Sequence, residues 1–167
     1  MTYLQPTMGP VHIAICRDRC DPLRQESIMT YFPDLSPYTY EPSERGTVNV
    51  GWLSSRHEYQ KGLVADVVVD ALKVLCAHPE NQMRGYHRCD FCQALGPSVP
   101  GGDRGPKELF LGSAEVHVEG TDGIVYAAPT LVLHYIMEHQ YCPPREFCEA
   151  AVHQAGLGVD DELTAPE

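Results

Sequence analysis

His87-Arg88-Cys89-Asp90-Phe91-Cys92, followed further on by Leu131-Val132-Leu133-His134-Tyr135-Ile136-Met137-Glu138-His139, is the stretch whose reading decides this chain. The first piece is C-x2-C and the second contains H-x4-H, so a tight turn and a helix each offer two donors to a tetrahedral Zn2+. Cys89, Cys92, His134 and His139 are therefore the expected ligands, with His87 and Cys142 in reserve. On a straight α-helix, residues five apart lie about 140° from each other around the axis. His134 and His139 can share one ion only if the last turn of their helix distorts. Pro143-Pro144 ends that helix in any case, and last turns often tighten or fray.

Working outward, the two ligand pairs are joined by a polar loop broken by Pro100, Gly101, Gly102, Gly105 and Pro106, and then by two strand-like runs. Glu108 to Val118 and Gly123 to Ala128, linked through an Asp-Gly signal at 122 and 123, predict an antiparallel hairpin. Pro129 suits the first turn of the ligand-bearing helix, and a last helix spans about 144 to 155. Upstream, Thr47 to Leu53 alternates as a strand. Ser55-Arg56-His57-Glu58 has the form of a capping box, after which Leu63, Val64, Val67, Val68, Ala71, Leu72 and Leu75 repeat at helical steps until Pro79. Cys76 reads as a small buried hydrophobe. Tyr31 to Pro42, with three prolines and four aromatics, is an extended arm.

This order predicts an α+β fold: an antiparallel hairpin or small sheet packed on three helices, with a zinc knuckle. Residues 29–156 form one zinc-binding domain, preceded by a poorly ordered leader (1–28) and followed by an acidic tail (157–167). The chain has 167 residues, enough for one core. Its net charge of −11, from 12 basic and 23 acidic residues, argues against nucleic acid as a partner, since phosphate binding draws on clustered Lys and Arg. No apolar run approaches the ~20 residues that span a bilayer, so no membrane partner is expected. Without signal-peptide order at the start, a cytosolic location follows. Seven cysteines, an odd number, then read as reduced thiols plus a metal site, with Cys16, Cys20 and Cys148 structural.

The succession of knuckle, hairpin and ligand-bearing helix resembles a treble-clef zinc fold over about residues 89 to 139. Residues 29 to 153 also resemble a family of small uncharacterised bacterial proteins, through the phrases Tyr31-Phe32-Pro33-Asp34-Leu35-Ser36-Pro37-Tyr38, Arg84-Gly85-Tyr86-His87-Arg88-Cys89-Asp90-Phe91-Cys92, Tyr126-Ala127-Ala128-Pro129 and Pro143-Pro144-Arg145-Glu146-Phe147. That resemblance implies a bacterial cytosolic protein and brings no activity with it.

Two functions follow from one metal. With four protein donors the ion is structural, and the protein binds an unknown protein or small-molecule partner through an acidic, aromatic-bearing surface. With three donors and a water, the chain is a zinc hydrolase or deaminase-like enzyme, with Glu115 as base and Glu138 second. Arg84, Asn81, Tyr126, Tyr38 and Tyr40 would then orient substrate. His117-Val118-Glu119 matches the H-x-E half of zinc deaminases, but the cysteines come first and no proline precedes them, so the match reads as chance.

Overall fold

A short strand, β5 (Val125–Pro129), is buried at every position and carries a neighbour on each edge. On one side β1 (Thr47–Asn49) runs parallel to it, Thr47 opposite Val125 and Asn49 opposite Ala127. On the other, β4 (Glu115–Glu119) runs antiparallel, Glu115 opposite Pro129 and Glu119 opposite Val125. These observations come from a computed structural model that describes residues 30–40, 46–101, 106–121 and 123–158. The expected leader at 1–28, Cys16, Cys20 and the tail from 159 lie outside the described residues.

The remaining elements are α1 (Asp66–Cys76), β2 (Ser98–Pro100), β3 (Glu108–Phe110), α2 (Leu131–His139) and α3 (Arg145–Gln154). The fold is mixed α+β. β2 and β3 form a separate antiparallel pair, Val99 opposite Leu109. α1 packs against α3 and α2, and α3 covers β4, so Val68, Ala71, Leu72, Phe147, Ala151 and Val152 share one core with the sheet. Cys76 is buried there, its thiol pushed up to about 12 by desolvation, as expected of a small hydrophobe.

Several expectations are corrected. Ser55 does not cap a helix, because its N–H and Oγ–H donate to Asp90 Oδ2 at 2.7 Å each, joined by Ser54 Oγ at 3.1 Å. α1 begins eleven residues later, at Asp66. Before it, Gly62 N–H donates to Gln140 O and Gln60 O accepts from Cys142 N–H, so these backbone groups are satisfied by the chain after α2. Leu63, expected on the helix face, is 98% exposed. Glu108 to Val118 is not one strand: Leu111 N–H turns to Pro97 O and Gly112 N–H to Thr130 Oγ1, which breaks the run between β3 and β4. Pro129 ends β5 rather than opening α2.

Candidate metal centre

The C-x2-C segment is a tight turn. Gln93, at φ +62°, returns its N–H to Cys89 O at 2.9 Å, and Cys89 N–H donates to Ala94 O at 2.8 Å. His87 N–H donates to Gly112 O, which ties the turn to the loop before β4. The two residues between the cysteines each anchor it further. Asp90 takes the three Ser54 and Ser55 bonds, led by the Ser55 N–H, and these hold its carboxyl below the usual carboxylate range. The Phe91 ring packs against Tyr59, Tyr135 and His139 at centroid distances of 5.2, 5.7 and 5.1 Å. Nothing in the spacing rule pointed to this pair; a polar and an aromatic residue inside a knuckle were the only available signal.

The histidines arrive from α2. Helix α2 ends on His139: Gln140 is left-handed at φ 57°, and the N–H of Tyr141 reaches back to Tyr135 O at 3.1 Å. His134 lies within α2 and His139 is its last residue, and their side chains meet although the helix runs unbroken between them.

Cys89 Sγ lies 3.3 Å from His139 Nε2, Cys92 Sγ 3.3 Å from His134 Nε2, and the two Nε2 atoms 3.3 Å from each other. All four donor atoms fall within 4.8 Å of one another. Bonds of about 2.3 Å to sulfur and about 2.0 to 2.1 Å to nitrogen at tetrahedral angles imply edges of roughly 3.3 Å between nitrogens and roughly 3.6 Å between nitrogen and sulfur. The nitrogen–nitrogen contact matches that edge and the two nitrogen–sulfur contacts are about 0.3 Å shorter, and four Cys and His side chains this close together could hold a metal. Cys89 and His134 are buried, His139 is half-buried and Cys92 exposed, so the cluster sits at the core's edge. Burial lowers the pKa of His134, helped by the neighbouring His139, and burial also lowers that of His139. Burial raises the Cys89 thiol. Neutral imidazoles are the form a metal takes.

The other expected site residues are elsewhere. His87 and Cys142 are outside the cluster; Cys142 Sγ faces Pro143 O at 4.0 Å. Glu138 is exposed on α2. Glu115 is buried, but its Oε2 accepts from Tyr38 Oη at 2.8 Å and Asn81 Nδ2 at 3.2 Å and meets His117 Nε2 at 3.0 Å. Of the expected substrate residues, Tyr38 and Asn81 therefore converge on Glu115. Tyr40 is exposed beside Met83, Arg84 is exposed, and Tyr126 packs on Phe147. Among the described residues no helix is long and apolar enough to cross a membrane.

Compared with known proteins, residues 30–152 match the family described as "Domain of unknown function (DUF7919)". No curated protein and no solved structure matches.

Proposed function

Because the chain belongs to the DUF7919 family, for which no function is recorded, we propose from its own geometry that Cys89, Cys92, His134 and His139 hold a structural Zn2+ in a partner- or ligand-binding protein. The observation that carries this reading is the convergence of four donor atoms within 4.8 Å of one another, three of their contacts at 3.3 Å. Two thiolates and two imidazoles suit zinc, whereas oxygen-seeking Mg2+ and Ca2+ would find no ligand of their kind among the four. The ion would clamp the knuckle to the end of α2, where Phe91 packs on Tyr135 and His139. The order of knuckle, strands and ligand-bearing helix supports the treble-clef-like description. Reduced thiols at a metal site are in keeping with a cytosolic, bacterial setting. With a net charge of −11, a basic partner is favoured.

The hydrolase reading is weaker. It needs one of the four donors displaced by water, and both carboxylates named for it are otherwise disposed: Glu115 is bonded to Tyr38 and Asn81, and Glu138 points from the exposed side of α2. The test is metal analysis of the purified chain, which should give about one zinc per chain, lost in the Cys89→Ser/Cys92→Ser double variant. Full zinc content in that variant would end the assignment.

A further inference from the structure

Cys92 is the one exposed cysteine among the described residues, whereas Cys89, its neighbour in the cluster, is fully buried. Cys76 is buried too, and Cys142 and Cys148 are half-buried with their thiols turned to Pro143 O at 4.0 and 3.9 Å. The candidate metal centre is therefore open at one corner. That corner is a sulfur, and the second sulfur of the cluster lies within 4.8 Å of it. A site built for stability alone gains from shielding both thiolates; this one shields Cys89 and exposes Cys92.

The backbone suits a bond between the two sulfurs. Gln93 N–H donates to Cys89 O at 2.9 Å, which closes one turn around positions 89 to 92, and Cys89 N–H is fixed on Ala94 O at 2.8 Å. Three residues along an α-type turn, Cα atoms lie about 5 Å apart, inside the ~4.4 to 6.8 Å over which disulfides close. Cys89 sits at the anchored, buried end of the turn and Cys92 at the exposed end, so an oxidant meets Cys92 first and Cys89 stands behind it. Solvent access beside a resolving thiol is the arrangement of reversible cysteine oxidation, since the second thiol traps the sulfenic acid before it oxidises further. Without the two thiolates, His134 and His139 supply only half a tetrahedral set.

We infer that Cys89 and Cys92 form a peroxide-sensitive switch on the metal centre: Cys92 is oxidised first, Cys89 resolves it as a disulfide, and the ion is released. This rests on the zinc reading above and adds its regulation. With hydrogen peroxide as oxidant, the Cys92 thiolate attacks one peroxide oxygen, the O–O bond breaks, and hydroxide leaves with the electron pair, giving the sulfenic acid. The Cys89 thiolate then attacks that sulfur, the S–S bond forms, and a second hydroxide leaves. Two protons from solvent turn both hydroxides into water. The two sulfurs together lose two electrons, and the peroxide gains them. A disulfide offers zinc no thiolate, which leaves the knuckle held to α2 through Phe91 on Tyr135 and His139. A dithiol reductant reverses the step by thiol–disulfide exchange.

The full chain, loaded with zinc, is treated with hydrogen peroxide while a chromogenic indicator follows zinc release, and its disulfides are mapped by peptide mass analysis. Zinc content is measured first: a chain that stays empty in excess zinc would remove the metal reading and this inference with it. In the loaded chain the expected result is release in step with a Cys89–Cys92 disulfide, and return of bound zinc after a dithiol reductant. Cys92→His keeps a donor at position 92 and removes the exposed thiol, so it should release zinc at least about tenfold more slowly at the same peroxide dose. Cys142→Ser/Cys148→Ser should behave as the unaltered chain does. Zinc that stays bound under peroxide, release accompanied by a Cys142–Cys148 bond or by sulfinic acid at Cys92, or equally fast release from Cys92→His would overturn the switch and leave the metal assignment standing. If Cys92→His takes up no zinc, the disulfide map of the unaltered chain still decides.

Discussion

His134 Nε2 and His139 Nε2 lie 3.3 Å apart although five residues separate them on α2. A straight helix would turn the two rings about 140° apart. Helix α2 runs unbroken through His139, so side-chain reach closes that difference. Two imidazole nitrogens at this distance, each also 3.3 Å from a sulfur, form the half of the cluster on which the zinc reading depends.

Metal removal tests that dependence. A structural Zn2+ contributes on the order of 10 kcal/mol of apparent binding energy, and for a chain of this size each kcal/mol moves Tm by roughly 2 to 4 °C. Treatment with a strong chelator should lower Tm by at least ~10 °C in a calorimetric scan. A shift of under ~2 °C would mean that the fold stands without the ion.

Zinc affinity should rise with pH. The metal takes neutral imidazole and thiolate, so protons compete with it. His134 and His139 are already depressed, chiefly by burial, and add no slope above neutrality. Burial raises the Cys89 thiol above its ordinary 9.0, so its proton must leave on binding. Competition with a chromogenic chelator should therefore show affinity climbing at least about tenfold per pH unit between roughly pH 7 and 9. A flat profile there would contradict thiolate ligation by Cys89.

Asp90 holds the knuckle from outside the four-residue cluster. Asp90→Ala removes the acceptor of the Ser54 Oγ–H, Ser55 N–H and Ser55 Oγ–H bonds. Loss of an orienting partner of this kind typically costs about 10- to 100-fold in metal affinity, and the same chelator assay reads it. Unchanged affinity would show that Phe91 packing alone shapes the turn.

Gly51 should resist replacement. It sits at φ +72°, and a Cβ there would meet Val132 Cγ2 at 2.8 Å, on the turn of α2 that leads to His134. Gly51→Ala should cost about 1 to 3 kcal/mol for the backbone alone, with the clash added. Urea unfolding measures it; a loss under ~0.5 kcal/mol would show that Val132 moves aside freely.

Much of this was legible along the chain. Helix α1 showed its face in Val68, Ala71 and Leu72, the β4–β5 hairpin announced itself by alternation and turn residues, and the four donors stood out by spacing. Other parts misled. Ser55 to Glu58 has every residue of a capping box, yet a carboxylate 35 positions away claims the serine. The parallel pairing of β1 with β5 leaves no local trace, because alternation marks which side of a strand is buried and not which strand lies beside it. The partners of Glu115 were legible only in part: His117 lies two residues along β4, whereas Tyr38 and Asn81 come from distant segments.

By itself the sequence determined residue chemistry and local period: which thiols and imidazoles exist, at what spacing, and on which repeating faces, since both depend on the covalent chain and on backbone geometry alone. Only the tertiary structure decided convergence. Two imidazoles had to meet at a helix end, a knuckle had to dock on Ser54 and Ser55, and a strand had to bury Glu115 with one oxygen unspent. Those outcomes depend on competition among distant hydrogen-bonding and packing partners, which no short window of residues contains.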